Sequence, residues 1–359
     1  MFQPENLRLA RERRGFRKTD LAKKLGVSSQ LIAYYESGDR DPTVDRLHDL
    51  SAALDFPLAF FSLEDVERVP VDAFSFRSLS RMTHAQRDAA IAVGSIGVRF
   101  SKWIDTKFEL AESNVLDAPS GLVDSESASA SMRSLWGLGD LPIDNLLNVA
   151  EMNGLRVFNL PLDHREVDAF SFWHSGSAFV FVSNLKTAER RVFDLAHEIG
   201  HLVLHRGHAA PRGRKEELEA DRFASSLLMP RDDVLAHAPR YPTFDQLVTS
   251  KHRWKVSVAA LNFRMHQLGM TSEYHYRELC IEISRHGRAL EPSSLPFPYS
   301  YVLTTVLGLM RQEGMSRAQI AEQIGISPSE LNGLVDSVTF SAISGGADGT
   351  ARTGALRLV

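Results

Sequence analysis

The segment FDLAHEIGHLVLH, residues 193–205, constrains this chain more than any other part of it. It sets His197 and His201 four positions apart, with Glu198 directly after the first. Residues at i and i+4 meet on one face only when the backbone is helical. Phe193, Leu195, Ala196, Ile199, Leu202 and Val203 surround the pair with helical apolar spacing, which predicts a helix with one side in a core. Two neutral imidazoles one turn apart are then able to bind a single Zn²⁺. Glu198 is placed to take a proton from a water that such a metal activates. The chain must therefore bury a helix that carries polar groups toward a second element.

That second element has to bring a third protein ligand, because a catalytic zinc site uses three and leaves one position open. His205 lies on the same face but eight residues from His197, about 12 Å along an unbroken helix. It cannot reach the same ion. His208 fails as the last histidine of a metzincin pattern, which needs Gly three and His six residues after the second ligand. Leu204 and Gly207 hold those positions. The run EELEADRFASSLLMP remains. On a helix, Glu217 and Asp221 share a face with Ala220, Ala224 and Leu228, and the small side chains permit close approach to the motif helix. Glu217 is then the third ligand, and Asp221 accepts the second N–H of a ligating histidine. Glu219, about 200° around the axis from Glu217, is expected in solvent.

The 359 residues suffice for two or three domains. A formal net charge of -4 excludes a chain that coats nucleic acid along its whole length, but not one basic domain. No stretch approaches the ~20 apolar residues of a membrane helix, and MFQPENLRLA lacks a secretion-signal pattern. We expect a cytoplasmic location and no membrane partner. The single cysteine, Cys280, excludes an intrachain disulfide, and its apolar surroundings (LCIEI) predict a core position.

The expected fold is mainly α with a small antiparallel sheet (α+β). Residues 1–63 read as a helix-turn-helix domain and 64–131 as a helical connector and linker, Ser-, Gly- and Asp-rich from Ser113 to Ser131. Residues 132–240 form the metal-binding domain, 241–340 a helical region and 341–359 a disordered tail. LRVFNL reads as a strand, and DAFSFWH and SAFVFVS as antiparallel strands. The segment AFVFVS is either an edge able to hold an extended peptide or a buried strand.

In residues 7–61, Leu21, Ala22, Leu25, Val27, Ile32, Tyr35, Leu47, Leu50 and Leu54 fall at core positions. Gly26 occupies the turn between two central helices, where positive φ costs glycine little. Ser28 is a candidate N-cap. Ser29, Gln30, Ala33 and Tyr34 then face outward, as on a helix laid in the major groove, with Gln30 suited to adenine. Arg8 to Lys24 contains eight Lys or Arg against two acids, a local charge of +6. That run, Arg17 and Lys18 included, is expected to supply phosphate contacts. Met315–Val335 (MSRAQIAEQIGISPSELNGLV) repeats the outline, with Gly325 in the turn and Ser327 at a cap, but has one Arg and two Glu. It is expected to be a structural or dimerisation element.

On RSLWGLGDLPIDNLLNVAEMNGLRVF, AFVFVSN, ERRVFDLAHEIGHLVLH and EADRFASSLLMP, the stretch Met132–Pro230 resembles the ImmA/IrrE family of metallopeptidases. Residues 7–61 resemble the XRE/Cro-like repressors, with Arg17 where that family usually has a capping Ser or Thr. Residues 255–293 resemble in part the region that follows the peptidase domain in fused regulators. The first resemblance implies a zincin-like fold, His, His and Glu as zinc ligands (gluzincin type), and cleavage or inactivation of transcriptional repressors. The combined expectation is a zinc endopeptidase with Glu198 catalytic and Zn²⁺ as cofactor. Its partners are double-stranded DNA and a protein substrate such as a repressor, and it is a homodimer because two copies read a palindromic operator. The alternatives are a non-catalytic transcription factor whose zincin domain senses a ligand or partner, and an antitoxin-like protein. No residue marks an oxyanion-stabilising group by its spacing.

Overall fold

The computed structural model describes residues 1–63, 67–70, 74–75, 83–118, 123–162, 167–206, 213–286, 291–339 and 356–358. Four helices open the chain: α1 (Pro4–Arg13), α2 (Lys18–Lys24), α3 (Ser29–Ser37) and α4 (Val44–Leu54), followed by a 3-10 turn at Leu58–Ser62. Leu21, Ala22, Ile32, Tyr35, Leu50 and Leu54 are buried, with Leu25, Val27 and Leu47 packed at the margin. Gly26 has φ 65°, so the tight α2–α3 turn uses the left-handed region that its missing Cβ makes cheap.

Next come β1 (Phe74–Ser75), α5 (His84–Asp105), β2 (Phe108–Leu110), α6 (Ser125–Leu135) and α7 (Leu146–Met152). Strands β3 (Leu155–Leu160), β4 (Ala169–His174) and β5 (Ser177–Ser183) follow. After them α8 (Ala188–Leu204) and α9 (Arg214–Leu228) form a helical pair. Then come α10 (Arg231–His237), α11 (Phe244–Trp254), α12 (Val258–Gln267), α13 (Glu273–Arg285), α14 (Tyr301–Gln312), α15 (Arg317–Ile324) and α16 (Pro328–Val335). β6 (Leu356–Leu358) lies antiparallel to β2. That strand falls within the tail expected to be disordered; the remainder of the tail lies outside the described residues.

The α+β reading holds, with the sheet mixed rather than antiparallel. Its order is β1–β4–β5–β3. β4 and β5 form an antiparallel hairpin with Ser171 opposite Val180, while β3 joins β5 in parallel with Val157 opposite Val180. LRVFNL is nearly continuous in burial because this edge strand is covered on both faces, Phe158 and Leu160 packing into one apolar cluster and Leu155 and Val157 into the other. β5 is thus central, and its backbone is consumed on both sides. Of the two roles open to AFVFVS, the buried strand is the one it takes.

Within the Ser-rich stretch expected to be a linker, residues 125–131 are helix, the first part of α6. Asp124 Oδ1 accepts from the backbone N–H groups of Glu126 and Ser127 at 3.0 and 3.1 Å. Ala128 and Met132, one turn apart, are buried against the α9 side of the core. Composition pointed to a loop, but a cap and one apolar i,i+4 pair sufficed to anchor a helix. Cys280 is half-buried, not core: α13 lies on the surface and buries Leu279.

The sheet separates two apolar clusters. Phe158, Phe170, Phe172, Phe179 and Phe181 face α1–α5 and α14–α16. Val157, Ala178, Val180 and Val182 face α6–α13. This is the period-2 alternation of a sheet covered on both sides. The N-terminal domain therefore shares a core with the helices at the far end of the chain. Arg13 Nε and Arg14 Nη1 donate to the buried Glu330 carboxylate of α16 at 2.7 and 2.5 Å. Asn159 Nδ2 of β3 donates to the Gly333 carbonyl at 2.7 Å. Met315–Val335 is accordingly a structural element joining the helix-turn-helix domain to the sheet. Ser327 sits at the N-cap position of α16 without a capping bond, its Oγ 2.8 Å from that of Ser329. No helix among the described residues is long and apolar enough to cross a membrane.

Candidate metal centre

The two helices that meet at the centre do so because one of them has a gap. A Cβ added at Gly200 would stand 3.1 Å from the Phe223 ring and 3.3 Å from Ala220 Cα. Glycine on α8 and alanine on α9 let the backbones approach, and this brings their polar faces together. His197 Nε2 is 3.5 Å from Glu217 Oε2, and His201 Nε2 is 3.4 Å from Glu217 Oε1. One ligand atom from each of the three residues lies within 4.8 Å of the others. Donors bound at ~2.0–2.2 Å to one tetrahedral ion stand about 3.3–3.6 Å apart. Spacing and donor chemistry both fit a divalent cation that accepts nitrogen and oxygen.

The second ring nitrogens are also engaged. His197 Nδ1 is 2.8 Å from Asp221 Oδ1. His201 Nδ1 is 2.9 Å from His205 Nδ1, and His205 Nε2 is 3.0 Å from Glu219 Oε2. Here the expectation for Glu219 is overturned, because its carboxylate turns inward to a buried histidine and not to solvent. The reason lies at the end of α8. His205 is the C-cap residue and is 1% exposed, so its ring fills the space between α8 and α9 that Glu219 borders. His205 stays out of the three-residue cluster, as its distance along the axis requires. His208 lies outside the described residues.

Glu198 is 1% exposed, and its Oε2 accepts from Ser171 Oγ of β4 at 2.6 Å. The sequence reading missed Ser171. Its signal was present: in AFSFWH it is the small polar residue at an inward position of the alternation, between Phe170 and Phe172 of the opposite face.

Charge favours a cation at this centre. Burial works against protonation of His197, yet the Asp221 and Glu217 carboxylates outweigh it and push the imidazole up to about 9. For Glu217, burial acts upward, but His197 and His201 hold the carboxyl far below the ordinary carboxylate range. The Asp221, Glu217 and Glu198 carboxylates thus favour a positive charge, proton or metal, at the imidazoles they surround.

At the N-terminal domain, Ser28 Oγ accepts from Leu31 N at 3.2 Å and caps α3. Ser28, Ser29, Gln30 and Tyr34 are exposed and Ala33 is half-buried. Arg17 holds the N-cap position of α2, where Asp20 does the capping by accepting the Arg17 backbone N–H at 3.0 Å and also pairing with its guanidinium. Lys18 Nζ is 3.4 Å from Glu36.

Part of the +6 run is spent inside the protein, where Arg11, Arg13 and Arg14 meet buried carboxylates. Arg8 pairs with Glu12, Arg11 with Glu36, and Arg13 and Arg14 with Glu330. Lys24 donates to the Ala53 carbonyl. Counting charge along the chain missed Glu36 and Glu330, which come from elsewhere in the fold.

Residues 150–266 match the family model described as the IrrE N-terminal-like domain, a peptidase family, and residues 7–61 match the model described as helix-turn-helix. No curated protein matches the chain. The first match runs from the end of α7 to the end of α12, and so extends beyond residue 240. The chain thus joins a DNA-binding helix-turn-helix domain to a metallopeptidase-like domain, the composition of a transcriptional regulator with a protease-like part.

Proposed function

We propose that this protein is a cytoplasmic DNA-binding regulator whose second domain is a zinc endopeptidase acting on a regulatory protein such as a repressor. The observation that carries the proposal is the pair of histidine nitrogens, each 3.4–3.5 Å from one oxygen of Glu217. His197, His201 and Glu217 hold the ion, and Asp221 orients His197. Zinc bound there supplies Lewis acidity toward the scissile carbonyl and toward water. Glu198 takes the proton of the attacking water and returns it to the leaving amine. The Ser171 hydroxyl donates to the Glu198 carboxylate and fixes it in place. On DNA, Ser29, Gln30, Ala33 and Tyr34 face base edges, while Arg17, Lys18 and Ser28 lie toward the backbone. Two copies read a palindromic site.

Incubating the zinc-loaded protein with candidate repressors, with and without chelator, tests the peptidase reading. The expected result is a cleaved repressor whose cleavage chelation abolishes. Repressors left intact under every condition would sink it.

A non-catalytic regulator is the second reading, and one observation favours it. β1 already pairs with the outer edge of β4, with Ser75 opposite Ser171, the residue that contacts Glu198. The sheet edge beside the centre is therefore covered. In that reading metal changes DNA affinity without cleavage, and Glu198→Gln leaves the change intact.

A further inference from the structure

The two candidate histidine ligands are held by chains of different length. His197 meets a carboxylate directly, Asp221 at 2.8 Å. His201 reaches one only through a second imidazole: His201 Nδ1 to His205 Nδ1 at 2.9 Å, then His205 Nε2 to Glu219 Oε2 at 3.0 Å. The rings of His201 and His205 are almost wholly buried.

Proton positions in this chain are determined by simple accounting. A ring nitrogen that binds a metal offers its lone pair, so His201 Nε2 at the ion places the proton on Nδ1. That N–H points at His205 Nδ1, which must then be an acceptor. His205 is therefore neutral, with its proton on Nε2, and that N–H donates to the ionised Glu219. A doubly protonated His205 would set one N–H against another. Each link fixes the next, and the far carboxylate is the anchor.

We propose that His205 and Glu219 form a relay that positions His201 as a metal ligand, the counterpart of what Asp221 does for His197. His205 is a positioning residue, not a ligand and not a participant in bond breaking. The inference rests on the reading of His201 as a ligand given above. It explains why a histidine too far along α8 to touch the ion is nonetheless buried, and why Glu219, on the far side of α9 from Glu217, faces inward. Lys215 Nζ lies 3.7 Å from the other oxygen, Glu219 Oε1.

The test uses the full-length protein and zinc alone. Competition with a chromophoric chelator gives the zinc affinity of wild type, His205→Phe, His205→Gln and Glu219→Gln. Replacing His205 by Phe removes the acceptor, and zinc should bind about 10- to 100-fold more weakly, the usual cost of losing a group that orients a ligand. Gln offers a carbonyl at a similar reach and should recover most of that loss. Glu219→Gln should weaken binding by a smaller factor.

A purely structural role predicts instead that metal-free melting temperatures fall while zinc affinity holds. Long-range ¹H–¹⁵N spectra of histidine-labelled, zinc-loaded wild type supply a readout independent of any variant: His205 should appear as the Nε2–H tautomer and His201 as the Nδ1–H tautomer. An Nδ1–H tautomer at His205 overturns the proposal. So does zinc bound equally well by the Phe variant and wild type, or equally poorly by the Phe and Gln variants. Wild type that takes up no zinc overturns the metal-centre reading itself, a result distinct from all of these.

Discussion

The helix pair α8–α9 and the helix pair α2–α3 treat polar side chains in opposite ways. Between α8 and α9, His197, Glu198, His201 and His205 are almost fully buried, and Asp221, Ser171 and Glu219 supply partners at 2.6–3.0 Å. On α3, Ser29, Gln30 and Tyr34 stand in solvent. The cations beneath them are paired with acids from the rest of the protein. A buried site has to bring its partners with it, since an unpaired buried polar group costs ~1–3 kcal/mol. An exposed surface can leave its groups to water until a ligand arrives. The first region is preorganised by the fold; the second is presented by it.

Glu198→Gln is the sharpest way to break the preorganised half. On a confirmed substrate it should retain zinc but lose about 10²–10⁴-fold in kcat/KM, the span of general acid–base catalysis. Equal rates for variant and wild type would remove Glu198 from the mechanism. The ligand set comes next. Metal analysis after dialysis against a weak chelator should find Glu217→Ala emptied, and Asp221→Ala weakened by only ~10–100-fold. Zinc retained in Glu217→Ala would show that the α8–α9 cluster is not the metal site.

The presented half depends on how its cations are used. Glu330→Ala leaves Arg13 and Arg14 without their shared carboxylate, though Arg14 is partly exposed and both keep carbonyl acceptors. Full removal of a buried partner costs ~3–5 kcal/mol. With that discount we expect about 1–2 kcal/mol, read as a shifted urea midpoint of the whole chain. An unchanged midpoint would mean that α16 does not brace the N-terminal domain. Gln30→Ala combined with Tyr34→Ala should cost about 1–3 kcal/mol of discrimination between DNA sequences. Identical selectivity would detach α3 from base reading.

The smallest effect separates exposed from engaged cations. Arg17→Ala, at an exposed guanidinium, should reduce the slope of log affinity against log salt by about one, whereas Arg13→Ala, at a guanidinium buried against Glu330, should leave it unchanged. Equal changes would mean that the whole +6 run contacts phosphate.

The sequence by itself determined the features whose physics is local. The α8 helix follows from apolar spacing around His197 and His201. The α2–α3 turn follows from Gly26, and the α3 cap from Ser28. The shared face of Glu217 and Asp221 follows from 3.6 residues per turn. Each depends on neighbours within a turn or two, so periodicity and capping chemistry suffice. Tertiary structure alone decided what those faces meet. It set Ser171 against Glu198 across 27 positions, His205 against Glu219 across 14, and Arg14 against Glu330 across 316. It placed β3 parallel to β5 and drew a serine-rich segment into a helix on the core. A helical pattern states which side of its own axis a residue occupies. The partner waiting on that side is chosen by packing in three dimensions, where hydrogen bonds and ion pairs act over a few ångströms of space regardless of separation along the chain.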